Sequence, residues 1–186
     1  MRIISGKFKG KKIFNTKSLN TRPLRDYVKE NIFNILTHGK FTKFNFEKAH
    51  ILDLYAGIGS FGIECLSRNV GQVVFVEKDP LAFSLLKKNV NDLKLRNKVK
   101  LIQQDVKMYL EKFKGKEKFD LIFLDPPYKN NTFFEVISLF KEKKIFNEFH
   151  KIIVHREIKS EENLNKYFKI ELEKNYGRSK IIFGSF

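Results

Sequence analysis

The chain has 186 residues, of which 42 % are hydrophobic and 14 % aromatic, so its composition supports a packed domain and argues against general disorder. The formal net charge is +16 at pH 7, and residues 1–50 hold twelve Lys or Arg against three Asp or Glu. A chain this basic is expected to bind a polyanion, and we expect a nucleic acid; an AT-rich genome would explain the many lysines but explains their uneven distribution less well.

Simple counts exclude several other features. Cys65 is the only cysteine, so no intrachain disulfide is possible, and we expect a buried, unreactive thiol in a reducing cytoplasm. No apolar run is long enough for a signal peptide or a membrane span. The four histidines lack Cys or His partners at metal-ligand spacing, so we expect no metal. The expectation is a cytoplasmic monomer that does not associate with membranes.

The first 22 residues are expected to form a basic appendage to a main domain of residues 23–186. Short apolar patches alternate there with Lys and Gly and predict a small β-hairpin; the patches are Ile3-Ile4, Phe8 and Ile13-Phe14. A helix is predicted to follow, with Thr21 as N-cap and Pro23 in its first turn. Apolar residues at helical spacing continue it toward Gly39: Leu24, Val28, Ile32, Ile35 and Leu36.

From residue 51 onward, predicted strands and helices alternate. The strands are expected at 51–55, 73–77, 99–103, 119–124 and 151–155, and the helices at 60–68, 80–93, 106–113 and 132–143. Two further strands, 168–173 and 180–183, are joined near Gly177 and are expected to pair antiparallel. The alternation predicts an α/β fold in which a mostly parallel sheet is covered by helices on both faces.

A glycine-rich turn follows the first of these strands. Gly57, Gly59 and Gly62 lie between an apolar strand and a helix start, in the pattern G-x-G-x-x-G. Glycines let a ligand approach the backbone closely, and the helix N-terminus offers free N–H groups. The turn therefore predicts a bound ligand, although the pattern alone fits NAD enzymes equally well. The cofactor site would also include Asp53, Tyr55 and Ala56.

Carboxylates end or follow the next two strands. Glu77 lies about twenty residues past the glycine turn, where its side chain can accept hydrogen bonds from ribose hydroxyls. Asp105 could reach the amino group of a bound adenine, although N-capping the helix from Val106 explains this residue nearly as well. Lys78 and Val106 are assigned to the cofactor site as neighbours, whereas Asp79 is expected to cap the next helix.

The most specific motif is Asp125-Pro126-Pro127-Tyr128, directly after the predicted strand 119–124. The prolines remove backbone donors and stiffen the turn, so Asp125 and the carbonyl of Pro126 are pure acceptors at the edge where open sheets bind ligands. An exocyclic amino nitrogen is a poor nucleophile because its lone pair is delocalised, and two acceptors on its N–H bonds favour a pyramidal nitrogen. Tyr128 can stack on the base. The motif predicts chemistry at such a nitrogen.

Together these motifs resemble the class I methyltransferases that carry (Asp/Asn)-Pro-Pro-(Tyr/Phe). Residues 2–10, 21–23 and 31–36 narrow the resemblance to the RsmD family, bacterial guanine-N2 methyltransferases of small-subunit (16S) ribosomal RNA. Residues 52–68 and 119–128 are also similar to that family, so the similarity spans nearly the whole chain, and only the part after about residue 143 matches loosely. Ser5 stands where we expect Gly, which matters only if that position needs a positive φ.

This resemblance implies a Rossmann-like fold, with a seven-stranded, mostly parallel sheet and a reversed last strand. It implies that S-adenosylmethionine binds at Gly57, Gly59, Glu77 and Asp105 and is released as S-adenosylhomocysteine. It also implies methylation of guanine N2 in ribosomal RNA or the small ribosomal subunit, with residues 125–128 at the reacting base. Basic side chains would hold the RNA: Arg2, Lys7, Lys9, Lys11, Lys12, Arg22 and Arg25.

Three other functions stay open at this point. An adenine-N6 methyltransferase on DNA or RNA would use the same tetrapeptide. A non-catalytic RNA-binding or ribosome-assembly module could share the fold, although the intact acceptor motif speaks against it. An NAD-dependent oxidoreductase would leave residues 125–128 unexplained.

Overall fold

The computed structural model describes residues 1–15, 24–40, 42–127, 132–160 and 163–186. Within these residues seven strands form one sheet: β1 His50–Leu54, β2 Gln72–Glu77, β3 Val99–Gln103, β4 Phe119–Leu124, β5 Phe146–Glu157, β6 Lys169–Tyr176 and β7 Ser179–Ser185. The α-helices of the same residues are α1 Asp26–His38, α2 Ser60–Ser67, α3 Pro80–Asp92, α4 Val106–Glu111 and α5 Phe133–Lys143. None of these described helices is long and apolar enough to cross a membrane.

The strands lie in the order β3-β2-β1-β4-β5-β7-β6. Strands β1 to β5 pair in parallel, whereas β7 runs antiparallel between β5 and β6. The sheet therefore confirms the predicted mostly parallel arrangement with a reversed last strand. Chain order switches at β1, because β2 and β3 lie on one side of it and β4 and β5 on the other. Open α/β sheets bind ligands outside the carboxyl ends of their strands at such a point.

Side-chain alternation gives the sheet two buried faces. Phe75 and Phe123 point to the face that packs on α1, α2 and α3, whereas Val76 and Leu124 point to the face that packs on α4 and α5. Residues two positions apart on a strand share a face, so the carboxylate that ends β2 returns to the face of α1 to α3. The same alternation predicts that polar side chains at the carboxyl ends of neighbouring strands meet on this face of the sheet.

The start of α1 differs from the prediction. The helix begins at Asp26, and its N-cap residue is Arg25, which makes no side-chain capping hydrogen bond. The predicted start at Thr21 was therefore several residues too early, because the burial of Leu24 ahead of the helix imitates the first apolar position of a helical face. Thr21 and Pro23 themselves lie outside the described residues.

Strand β5 is longer than predicted at both ends. It begins at Phe146, which pairs with Phe119 at the start of β4 before a shift in register. The polar residues that follow Phe146 interrupt the apolar run, so periodicity alone places the start near residue 151.

The first residues form the predicted hairpin, but its ladder is a single antiparallel bridge between Arg2 and Lys12. Gly6 and Gly10 have φ values of 81° and 83° and supply the left-handed backbone of the turn. Ser5 is not among the described residues with positive φ, so its side chain causes no backbone strain there.

Buried charges hold this hairpin against α1 and α2. The carboxylate of Glu64 in α2 accepts the N–H groups of Ile4 and Ser5 at 2.8 and 3.0 Å. Lys29 of α1 donates to the carbonyl oxygen of Arg2 at 2.8 Å, and its Nζ lies 3.9 Å from Glu64. Both charged side chains are fully buried, and desolvation lowers the pKa of Lys29. The hairpin is thus joined to the core by hydrogen bonds between charged and backbone groups.

Candidate active site

A cavity of about 460 Å³ opens at the carboxyl ends of β1, β2, β4 and β5. Its volume lies in the range of small-molecule sites. The lining combines the glycine turn, strand-end carboxylates, the Asp-Pro-Pro segment and apolar side chains that include Leu24. The structure therefore brings together three motifs that are up to seventy residues apart in the sequence.

The glycine turn leads from β1 into α2 through a left-handed backbone. Tyr55, Gly57 and Gly59 have φ values of 59°, 55° and 84°, and such a value is uncommon for a residue with a side chain. A Cβ at Gly59 would lie 2.3 Å from Cδ1 of Leu86, so glycine is needed there for packing as well as for φ. A Cβ at Gly57 would meet nothing within 4 Å, so the backbone there is open to a ligand. Ala56 also lines the cavity.

Glu77 ends β2 and organises the turn. Its Oε2 accepts the N–H of Gly57 at 2.8 Å, and its Oε1 accepts the N–H of Asp79 at 2.8 Å. Each carboxylate oxygen has a second lone pair, so Glu77 retains the capacity to accept hydroxyl hydrogens from a ligand. Asp79 is the N-cap of α3, as predicted, and accepts the N–H of Ala82.

Asp53 lies deepest among the carboxylates of the cavity. It is 1 % exposed, and its Oδ2 accepts the N–H of Gly62 at 2.9 Å in the first turn of α2. Burial raises the pKa of Asp53 well above its usual value, and the negative charges of Asp125 and Glu77 raise it further. The three carboxylates together favour a neutral Asp53 or a positively charged ligand.

Asp125 follows β4 and lies at the mouth of the cavity with Pro126 and Pro127. Its Oδ1 lies 2.8 Å from Nδ1 of His155, a residue of β5 that also lines the cavity. No motif in the sequence had indicated His155. Tyr128 lies outside the described residues, so its stacking role stays a prediction.

The structure does not bring every predicted cofactor residue to the cavity. Asp105 is the N-cap of α4, and its Oδ1 accepts the N–H groups of Lys107 and Met108 at 3.0 and 3.4 Å. Its Oδ2 lies 3.6 Å from Nζ of Lys78, which does line the cavity. Asp105 and Val106 are not among the described lining residues, so a ligand role for them stays a prediction.

Comparison with known proteins identifies the family. A family model described as conserved hypothetical protein 95 matches residues 1–185. The chain belongs to this family, the RsmD family. The putative rRNA methyltransferase YlbH of Bacillus subtilis is 36 % identical to it, over 80 % of this chain and 78 % of that protein. Ribosomal RNA small subunit methyltransferase D of Haemophilus influenzae is 36 % identical, over 76 % of this chain and 71 % of that protein.

A solved methyltransferase structure has the same fold as this chain. The putative methyltransferase yhhF from Escherichia coli superposes with a TM-score of 0.83 at 25 % identity, covering 100 % of this chain and 97 % of that one. The RsmD-family chain therefore has the Rossmann-like methyltransferase fold that its motifs resemble.

The basic residues expected to bind RNA lie on the surface of this RsmD-family chain. Those within the described residues are all exposed: Arg2, Lys7, Lys9, Lys11, Lys12 and Arg25. Arg22 lies outside the described residues. Nζ of Lys11 lies 5.3 Å from the ring of Phe8, and Nζ of Lys88 lies 3.8 Å from the ring of Phe14, which is 47 % exposed. An exposed aromatic ring beside a lysine, as at Phe14, is typical of surfaces that bind single-stranded nucleic acid.

Asn89 of α3 connects this surface to the glycine turn. Its Oδ1 accepts the N–H of Phe14 at 2.8 Å, and its Nδ2 donates to the carbonyl oxygens of Phe14 and Ile58 at 3.2 and 3.1 Å. Ser67, at the far end of α2, accepts the N–H of Phe8 at 3.0 Å. The hairpin therefore runs along α2, and Asn89 links its residue Phe14 to Ile58, which lines the cavity.

Stacked aromatic rings form an apolar wall of the cavity. Phe61 of α2 stacks on Phe123 of β4 with ring centroids 3.9 Å apart and planes inclined by 11°. Phe33 of α1 also stacks on Phe61, with ring centroids 5.2 Å apart. The stacked rings join α1, α2 and β4, and two of them, Phe61 and Phe123, line the cavity.

Proposed function

We propose that this chain transfers a methyl group from S-adenosylmethionine to the exocyclic N2 of a guanine in small-subunit ribosomal RNA. Family membership and relatives named as rRNA methyltransferases support the coarser statement, an S-adenosylmethionine-dependent rRNA methyltransferase. The choice of guanine N2 rests on the resemblance of the first 36 residues to the RsmD family. The observation that carries the proposal is a cavity that places Asp125 and Pro126 beside the glycine turn.

The charges and hydrogen-bond acceptors that line the cavity suit S-adenosylmethionine. Asp53, Glu77 and Asp125 lie close enough for their charges to raise the pKa of Asp53 beyond the effect of burial, and a cationic ligand relieves that repulsion. Gly57 leaves the backbone open, and Glu77 retains acceptor capacity for ribose hydroxyls. When bound, S-adenosylmethionine supplies a methyl group on a positively charged sulfur, which keeps the electron pair of the broken bond.

The residues at the mouth of the cavity would prepare the nucleophile. Asp125 and the carbonyl of Pro126 accept the N–H bonds of the base, so the nitrogen lone pair is free to form the new N–C bond. The surplus proton on nitrogen passes to Asp125 or to water. No covalent enzyme intermediate is needed, and Cys65 is fully buried with a thiol pKa raised by that burial.

The basic hairpin would hold the RNA while one base enters the cavity. A base in structured RNA must leave its stack before an enzyme can reach its amino group. Asn89 holds Phe14 of the hairpin near Ile58 of the glycine turn, and the exposed lysines of the hairpin precede Phe14 in the chain. We propose residues 1–22 as the RNA-binding part and residues 23–186 as the methyltransferase domain.

Two substitutions test the proposed roles in methyl transfer and in cofactor binding separately. Asp125→Ala should lower methyl transfer to ribosomal RNA by a factor of about 100 or more and weaken S-adenosylmethionine binding less than Glu77→Ala does. Glu77→Ala should weaken cofactor binding, as measured by calorimetry. The matched control is Asp92→Ala, an exposed aspartate at the end of α3, which should do neither. Wild-type transfer rates in Asp125→Ala would contradict the proposal.

A further inference from the structure

We propose that His155 is a positioning residue for Asp125, because it holds one carboxylate oxygen so that the other faces the nitrogen that is methylated. The inference rests on the proposed function, since it assigns a partner to the acceptor of that reaction. It concerns a side chain that lies outside every motif of the sequence.

Neighbouring strands bring the two residues together. Leu124 of β4 is in register with Val154 of β5, so Asp125 and His155 are the next residues along two parallel chain segments, near the carboxyl ends of both strands. Both residues line the cavity. The distance of 2.8 Å between Nδ1 of His155 and Oδ1 of Asp125 is that of a strong hydrogen bond.

The histidine is the more firmly held partner. Its side chain is 7 % exposed, against 22 % for Asp125. His155 lies within β5, where Ile181 of β7 pairs with it, whereas Asp125 begins the turn beyond β4. A hydrogen bond from a ring fixed in the sheet restricts the rotation of a carboxylate on that turn.

The bond assigns separate tasks to the two oxygens of Asp125. Oδ1 accepts the Nδ1–H of His155, and Oδ2 is the oxygen that would accept the N–H of the base beside the carbonyl of Pro126. Nδ1 must carry a hydrogen to donate, so the pair also selects the tautomer of the ring. Positioning matters here because misplacing a reacting group by about 1 Å can lower a rate by a factor of about 100.

A second histidine on the same strand provides a contrast. The ring of His150, in the amino-terminal half of β5, bonds to the carbonyl of Asn147 at 2.7 Å and to the N–H of Phe186 at 2.9 Å. Those partners are backbone groups that close the end of the sheet. His155 bonds instead to the side chain that begins the Asp-Pro-Pro motif, and this difference makes His150 a matched control.

Single-turnover methyl transfer to small-subunit ribosomal RNA, with labelled S-adenosylmethionine, tests the role of His155. His155→Leu should lower the transfer rate by a factor of about 10 to 100 and leave cofactor affinity unchanged. His155→Asn should restore the rate to within about threefold of wild type, because its Nδ2 takes the place of Nδ1. His150→Leu should leave the rate unchanged. If His155→Leu does not fold, His155→Gln replaces it, because the amide of glutamine lies one bond farther from the backbone than Nδ1 of histidine does.

A double-mutant cycle distinguishes positioning from support of the fold. In the Asp125→Ala protein, adding His155→Leu should lower the rate by less than about twofold, because the partner is already missing. An equal loss in both backgrounds, or a wild-type rate in His155→Leu, would overturn the positioning role. Absence of methyl transfer by the wild-type protein would overturn the proposed function instead.

Discussion

Asp53 is a carboxyl group held where a negative charge is costly. It is 1 % exposed, and burial, followed by the charges of Asp125 and Glu77, raises its pKa well above the usual value. A group with a raised folded-state pKa contributes stability that is complete below its unfolded pKa, about 4, and is lost as the pH rises through the folded-state pKa. The cofactor-free fold is therefore destabilised by this residue at neutral pH.

Asp53→Asn should accordingly raise the thermal midpoint of the cofactor-free protein at neutral pH by at least about 2–4 °C. The amide oxygen can still accept the N–H of Gly62, and the buried charge is removed. Calorimetry from about pH 4 to about pH 8 should show the gain growing with pH. Asp79→Asn, which keeps an N-cap on α3, is the control and should change little. A midpoint at or below that of wild type at neutral pH would contradict the role of Asp53.

Local spacing reveals some of the site residues and not others. Gly57, Gly59 and Glu77 follow from a strand–turn–helix pattern, because their geometry is set within about twenty residues of chain. His155 and Asn89 find partners 30 and 31 residues away, through strand register and helix packing. Neither contact has a local signature, so sequence reasoning missed both.

Among the elements, β5 carries a pH-sensitive contact in its amino-terminal half. Nε2 of His150 accepts the N–H of Phe186 at 2.9 Å, which requires that this nitrogen carry no hydrogen. Burial lowers the pKa of His150 below its usual 6.5. The unfolded chain therefore binds the proton first, and stability that is complete above about pH 6.5 falls as the pH decreases toward the folded-state pKa.

Replacing His150 with Gln should flatten the loss of thermal stability between about pH 6.5 and about pH 5. Thermal melts at several pH values measure this slope in wild type and variant. His38→Gln, an exposed substitution at the end of α1, should keep the wild-type slope. An unchanged slope in His150→Gln would show that other groups cause the acid sensitivity.

Helix α3 holds the hairpin through Asn89, so Asn89→Leu should destabilise the protein by about 2–4 kcal/mol. The substitution leaves backbone groups of Phe14 and Ile58 without the partner they have in the fold. Denaturant unfolding measures the loss, and hydrogen exchange should rise in the hairpin first. Asn91→Leu, on the same helix, removes only an exposed hydrogen bond from Arg96 and should cost less than about 1 kcal/mol. An equal loss of stability in the two variants would show that Asn89 does not hold the hairpin.

Element type was predictable and some boundaries were not. Parallel strands buried on both faces appear as apolar runs, so β1 to β4 and the helices between them follow from the sequence. Two starts were wrong, at α1 and β5, because burial of Leu24 and polar residues after Phe146 reflect tertiary contacts that periodicity does not contain.

At the scale of the whole molecule, we expect the positive charge of the hairpin surface to bind RNA. Lys9→Ala with Lys12→Ala should weaken RNA binding and lower the slope of log affinity against log salt by about 1.5–2, since each lysine displaces about one counterion. Filter binding at several salt concentrations measures it. Lys169→Ala with Lys174→Ala removes the same charge from β6, at the far edge of the sheet, and should not change the slope. Equal slopes for both double variants would place the RNA elsewhere.

The order of elements and the positions of the motifs predicted both the sheet and the edge that carries the cavity. Right-handed crossovers between parallel strands leave few possible strand arrangements. The path of the hairpin along α2 did not follow from its charge, since Glu64 and Lys29 bind its backbone rather than its side chains. The docking of that segment beside the glycine turn is a finding of the structure alone.

Nucleoside mass spectrometry tests the central claim most directly. Small-subunit ribosomal RNA lacking the modification would be incubated with the protein and isotopically labelled S-adenosylmethionine, digested to nucleosides and analysed. We expect labelled N2-methylguanosine with the wild-type protein and none with Asp125→Ala. Labelled N6-methyladenosine would contradict the guanine assignment, and unlabelled nucleosides throughout would contradict methyl transfer to this RNA.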